Sequence, residues 1–305
     1  MRGSMVALQG VIPILPTIFD SAGPIDEAGT LRVADYIIEA GGRGIVFPGL
    51  ASEYDQLDRE ERLHMVAAIG RHVAGRVPFI VGASAEHPAD AIAFAAAGAR
   101  AGCTSAMILT PKAFASDMAA MTAFFRDAAD GCGLPIMVQN APPPMGLGLP
   151  LEQVAELARS VDAIVYVKEE AAPSGQRMTR LTDLAGPALQ AVFGGAGARY
   201  VIDELKRGAR GTMPACEITE LHVAMLSCFE AGDEAGARDM FERTLPLLNM
   251  QAIFRWRLTK KVLQKRGIIA SDYVRAPGPA LDRYDNDELD ALLRRLSDLL
   301  PLEGA

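Results

Sequence analysis

Short apolar runs alternate with longer stretches whose apolar residues recur every three or four positions, over roughly the first two thirds of the chain. The runs at 11–19, 44–49, 79–83, 106–110, 136–140, 164–168, 191–194 and 211–214 read as strands. Several are apolar on consecutive residues, such as Phe79-Ile80-Val81, as expected for a parallel sheet covered on both faces. Between them, segments such as 26–40, 58–73, 88–101, 117–132, 151–160 and 198–207 read as amphipathic helices. Many open on an acidic or hydroxyl residue and close near glycine. Eight β/α units in this space predict an α/β fold, a (β/α)₈ TIM barrel, with an open doubly wound sheet as the competing arrangement. From Thr219 onward the pattern is helix after helix, at 221–231, 235–248, 251–264 and 286–300. The expected organisation is a catalytic barrel over 8–216 and a C-terminal helical extension, 217–305, packed on it.

Composition removes several function classes. The formal net charge of −8 argues against nucleic acid or an anionic membrane as a partner. No apolar stretch approaches the ~20 residues that span a bilayer. The opening Met1-Arg2-Gly3-Ser4-Met5 lacks the apolar core of a signal peptide, and reads as an expression leader or an alternative start. Cys103, Cys132, Cys216 and Cys228 have no paired spacing and read as reduced thiols of a cytoplasmic protein. His64, His72, His87 and His222 show no ligand spacing, and no serine-hydrolase elbow appears. No metal or cofactor is expected.

Barrel enzymes place their active sites at the C-terminal ends of the strands, which selects residues before any role is assigned. The strand at 164–168 ends in Lys168-Glu169-Glu170. Burial of an ammonium favours its neutral form, and a neutral amine attacks ketones to form a Schiff base. Side chains alternate along a strand, so Glu170 shares the side of Lys168 as a general acid or base, and Glu169 points outward. A solvated edge charge and an acidic loop are the plainer alternatives. Ser52 and Glu53 end the Gly49-containing turn after the second strand, where a hydroxyl and backbone amides can hold a substrate carboxylate. Gln139 and Asn140 are amides at positions where a core prefers apolar residues, so at least one faces the site or ties strands together. Gly194 and Gly195 suit close backbone approach to a bulky adduct more than a dinucleotide loop. Lys112 is either a clasp for a second carboxylate or an exposed loop charge.

With these residues in place, the chain resembles the dihydrodipicolinate synthase / N-acetylneuraminate lyase family of class I aldolases and dehydratases. The likeness rests on Gly10-Val11-Ile12-Pro13 with Pro16-Thr17, on the turn Gly49 to Glu53, on Asn140-Ala141-Pro142, and on Lys168. It implies a barrel with a three-helix extension, a Schiff base between Lys168 and a 2-oxo acid, and a homo-oligomer, tetramer or dimer. The departures narrow this. The family's Gly-Thr-Thr-Gly-Glu turn is here Gly49-Leu50-Ala51-Ser52-Glu53, and its proton-relay tyrosine is Gln139. Its second tyrosine falls on Lys112 or Ala113, and the arginine of the true synthase falls near Pro144. The branch of L-2-keto-3-deoxyarabonate dehydratases is similar in Ser52-Glu53, in Ile136-Met137-Val138-Gln139 and in the Lys-x-Glu of Lys168 and Glu170. The resemblance implies dehydration of a 2-keto-3-deoxy sugar acid. The alternative is pyruvate-releasing aldol cleavage, followed by the synthase reaction and, last, a non-catalytic oxo-acid-binding barrel.

Overall fold

A computed structural model of the protein describes residues 7–300; the expected leader at 1–4 lies outside them. The strands are β1 (Gly10–Val11), β2 (Ile45–Phe47), β3 (Phe79–Gly82), β4 (Ser105–Leu109), β5 (Ile136–Asn140), β6 (Ile164–Glu169), β7 (Ala191–Gly194) and β8 (Gly211–Thr212). They form one curled parallel sheet in the order β1-β8-β7-β6-β5-β4-β3-β2. Its two ends are joined. The Val46 amide donates to the Pro13 carbonyl and the Leu15 amide to the Val46 carbonyl, each at 3.0 Å, while Ile14 also bridges Ala215 beyond β8. The first strand is shorter than the apolar run at 11–19 because Pro13 and Pro16 have no N–H to offer a ladder. Pro214 stops β8 in the same way.

Alternation along the strands sorts the core into two sides. Val46, Ile80, Met107, Met137, Tyr166 and Phe193 meet one another on the inner side, with Ile12, Ile14 and Met213. Their chain neighbours Phe47, Val81, Ile108, Val138, Val167 and Val192 pack outward against the helices. The outer layer is α1 (Glu27–Glu39), α2 (Arg59–Val73), α3 (Pro88–Arg100), α4 (Met118–Cys132), α5 (Leu151–Ser160), α6 (Ser174–Ala185), α7 (Val201–Lys206) and α8 (Thr219–Glu230). Asp26, Asp58 and Asp117 each cap a helix start by accepting a backbone amide three residues on. The last of these helices, α8, places Met225 and Leu226 in a cluster with Val11 of β1 and Val201 of α7.

Three more helices follow: α9 (Glu234–Phe254), α10 (Trp256–Lys265) and α11 (Arg283–Arg295). The expected break at 249–250 moves to Arg255, where the backbone takes φ 49° and ψ −122°. Periodic apolar contacts of Leu247 and Leu248 carry α9 past that point. Pro246 lies inside the helix without ending it. These helices share an apolar cluster of Ile218, Leu247, Leu258, Val262, Leu289 and Leu293. They are also tied to the sheet by charge. Lys260 of α10 is fully buried and donates to Glu53 at 2.6 Å and to the Tyr273 carbonyl at 2.9 Å, above the Phe19 ring. Burial pulls the Lys260 ammonium down to about 8, against the opposing pull of Glu53. Among the described residues no helix is long and apolar enough to cross a membrane.

Candidate active site

Lys168 lies on β6, in register with Gln139 of β5 and Phe193 of β7. Two residues from Tyr166, it takes the inner face and is 3 % exposed. Glu170 stands just past the strand on the same side, its Oε1 3.1 Å from Lys168 Nζ. A buried ion pair persists only where further hydrogen bonds offset its desolvation. Here Gln139 Nε2 donates to Glu170 Oε2 at 2.6 Å, and the Ala196 amide donates to Oε1 at 3.4 Å. Gly195 makes room for this carboxylate: a Cβ there would sit 2.5 Å from Glu170 Cγ and Oε1. Three strands therefore converge on one amine–carboxylate pair.

The neighbouring residues on the opposite face do different work. Glu169 points outward, as alternation predicts, yet it is buried. It accepts from Arg177 Nε at 3.0 Å, from the Ala171 amide at 2.9 Å and from Asn140 Nδ2 at 2.8 Å. Asn140 also accepts from the Leu149 amide at 2.8 Å. Of the two strand-five amides, Gln139 reaches the pair and Asn140 ties β5 to β6 and to the loop before α5.

Ser52 and Glu53 are both buried and both engaged. Ser52 Oγ donates to the Leu15 carbonyl at 2.5 Å and accepts from the Gly49 amide at 2.9 Å, pinning the turn. Glu53, at φ 57°, accepts from Lys260 and, at 2.7 Å, from the Ala276 amide. The turn residues that border the Lys168 cavity are instead Leu50 and Ala51. That cavity holds about 120 Å³, with Ile14, Met145, Met213, Ala215 and Trp256 as its apolar walls and Lys168 and Glu170 within. Lys112 lies elsewhere. It donates to the Pro144 carbonyl at 3.0 Å and borders a separate cavity of about 770 Å³, with Tyr54, Arg62, His87 and Asp90. Met145 touches both spaces. Arg199, in the loop after β7 and with its role left open by the sequence, also lines the Lys168 cavity, as do Gln251, Arg255 and Trp256, which the sequence does not single out. All but Arg199 come from α9, α10 and their junction, and nothing local announces which helical residues cover a strand end.

Behind the glycine pair sits a second acid. Gly194 has no room for a side chain because Glu204 Oε2 of α7 occupies that space. Ser174 donates to Glu204 Oε1 at 2.6 Å, while among the described residues Oε2 has no protein partner. Burial pushes the Glu204 carboxyl up to about 7, with the charges of Asp203 and Glu170 adding to it. The ordinary value is 4.5, so the folded protein holds this proton more tightly than the unfolded chain. The associated stability is complete below about 4.5 and is lost as pH rises through about 7. Glu204→Gln keeps the shape and still accepts from Ser174, but does not ionise. Its melting temperature should match that of the parent near pH 5 and exceed it by roughly a few degrees near pH 8, in thermal melts across that range. Parallel curves would show that folding does not raise the Glu204 carboxyl above its ordinary value.

A lysine amine and one carboxylate in a small, largely apolar cavity are the groups that could add to a carbonyl and move protons around the adduct. A curled parallel sheet wrapped in helices, with that pair at the C-terminal ends of its strands, defines the class: an α/β protein with a lysine-centred site. The chain belongs to the dihydrodipicolinate synthetase family, whose model matches residues 7–296. It is 30% identical over 296 residues to the L-2-keto-3-deoxyarabonate dehydratase of Azospirillum brasilense, covering 96% of each chain. It is 26% identical over 293 residues to YagE of Escherichia coli K12, a candidate 2-dehydro-3-deoxy-D-gluconate aldolase, covering 94% of this chain and 96% of that one. The crystal structure of YagE in complex with pyruvate superposes with a TM-score of 0.89 over 97% of this chain and all of that one, at 26% identity. The dihydrodipicolinate synthase of Rhodopseudomonas palustris gives a TM-score of 0.87 at 26% identity, covering 95% of this chain and 98% of that one.

Proposed function

We propose that the protein is a Schiff-base lyase that dehydrates a 2-keto-3-deoxy sugar acid. The reading is carried by one observation: among the described residues Lys168 shares its cavity with a single carboxylate, Glu170, held at 3.1 Å, and no tyrosine. The amine of Lys168 adds to the C2 ketone and water leaves, giving a protonated imine. That cation acidifies C3–H, whose proton passes to a base and leaves an enamine. The enamine electrons expel the C4 hydroxyl, which departs as water with a proton from Glu170. When C5 is a terminal CH2OH, loss of a C5 proton gives an enol that ketonises to an aldehyde (a secondary C5 carbinol gives a ketone), and hydrolysis returns the free lysine. The backbone of Leu50 and Ala51 is the natural seat for the C1 carboxylate, on a turn held in shape by Ser52 and Glu53. Gln139 aims Glu170, and Gly194 and Gly195 let that carboxylate and Glu204 approach from two sides.

The similarity to the Azospirillum dehydratase supports this chemistry, and the same imine with a base on the C4 hydroxyl would support cleavage of C3–C4 to pyruvate and an aldehyde. A carboxylate without a tyrosine relay favours dehydration. In this reading residues 8–216 form a (β/α)₈ barrel and 217–305 the extension, in a cytoplasmic homo-oligomer, tetramer or dimer. Incubation with a panel of 2-keto-3-deoxy aldonates and related diacids should yield semialdehydes or other dehydrated oxo acids without free pyruvate, by mass spectrometry. Stoichiometric pyruvate would assign the aldolase reaction instead.

A further inference from the structure

The charged groups lining the Lys168 cavity are out of balance. Lys168, Arg199 and Arg255 face it, against Glu170 alone. Among the described residues neither arginine has a carboxylate within ion-pair distance; Arg255 has only Met145 Sδ at 3.8 Å and the Trp256 ring 6.0 Å away. The C1 carboxylate of any 2-oxo acid neutralises one of the two surplus charges. Arg255 is exposed and Arg199 partly buried, so a terminal hydroxyl would leave the other facing water and an apolar wall, whereas a second carboxylate would match it with charge-assisted hydrogen bonds.

The backbone is shaped to bring these groups in. Arg255 occupies φ 49° and ψ −122° at the α9–α10 junction, a conformation that persists only where the surroundings hold it. Gly197, at φ 67°, leaves a gap flanked by two polar groups. A Cβ placed there would lie 3.2 Å from Gln251 Oε1 and 3.5 Å from Arg199 Nη1. A guanidinium and a carboxamide thus face one small space on the cavity rim.

We propose that the substrate is a 2-oxo-3-deoxy aldarate, a sugar acid with carboxylates at both ends, whose distal carboxylate is held by Arg199, Gln251 and Arg255. The assignment rests on the Schiff-base reading for its near end only. Two matched pairs of probes test it on the full-length protein. Borohydride trapping at Lys168 should half-saturate with 2-oxoglutarate at a concentration at least about tenfold lower than with 2-oxopentanoate, the worth of one hydrogen-bonded charge pair. In Arg199→Gln and Arg255→Gln the ratio between the two acids should shrink towards one, a comparison within each variant that is independent of any general loss of trapping. Calorimetry on the Lys168→Ala variant, with glutarate against pentanoate, reads the distal site without imine formation and should show the same preference. Equal saturation by the five-carbon pair with pyruvate still trapped, or a preference that survives both arginine replacements, overturns the distal site and leaves the Schiff base standing. Absent trapping of pyruvate with glutarate still preferred in the Lys168→Ala variant overturns the Schiff base and leaves the distal site standing.

Discussion

Borohydride reduction in the presence of pyruvate should add one reduced pyruvate unit to Lys168 and to no other lysine, and Lys168→Ala should abolish both the adduct and turnover. Removal of a covalent nucleophile costs on the order of 10⁴-fold or more in turnover, because what remains is binding and electrostatics alone. The geometry explains the selectivity. Lys260 is the other fully buried lysine, but its ammonium is held by Glu53 and the Tyr273 carbonyl and does not border the Lys168 cavity. Lys168 has one carboxylate partner and faces an open space. Peptide mapping of the reduced protein decides the matter, and an unmodified Lys168 alongside intact turnover would end the imine mechanism.

Glu170→Gln should leave that adduct in place and lower turnover by roughly 10²- to 10⁴-fold, the range for loss of a positioned proton donor. The replacement is close to isosteric. Its amide oxygen can still accept from Gln139, and Gly195 still leaves the necessary room. What disappears is the transferable proton for the departing C4 hydroxyl and the negative charge beside Lys168. Trapping reports on imine formation and turnover on elimination, so measuring both separates the two roles. Unchanged turnover would remove Glu170 from the proton path.

The central pair was legible in the chain because a strand has a period of two. Counting from Tyr166 puts Lys168 and Glu170 on the inner side and Glu169 outside, and the structure has that arrangement. The amides at 139 and 140 divide by the same rule. Motif position was less informative where long-range partners decide. Glu53 is bound to a lysine 207 residues further on, and no local pattern in the turn announces it. Ser52 looks like a free hydroxyl in the sequence, yet the carbonyl of Leu15 claims it. The cavity rim was the least visible part. Helical periodicity locates α9 and α10, but the break at Arg255 has neither glycine nor asparagine to mark it. Which helical side chains reach the strand ends depends on how the last third of the chain docks.

That docking sets a boundary on how the protein can be cut or rebuilt. The turn over the site owes its carboxylate's counter-ion to α10, and the cavity wall borrows Gln251 and Trp256 from the same helical hairpin. A version shortened after β8 would strand Glu53 as a lone charge in an apolar setting and unroof the amine at once. The terminal helices therefore wall one side of the Lys168 cavity, and any transplant of that cavity onto another scaffold has to carry them along.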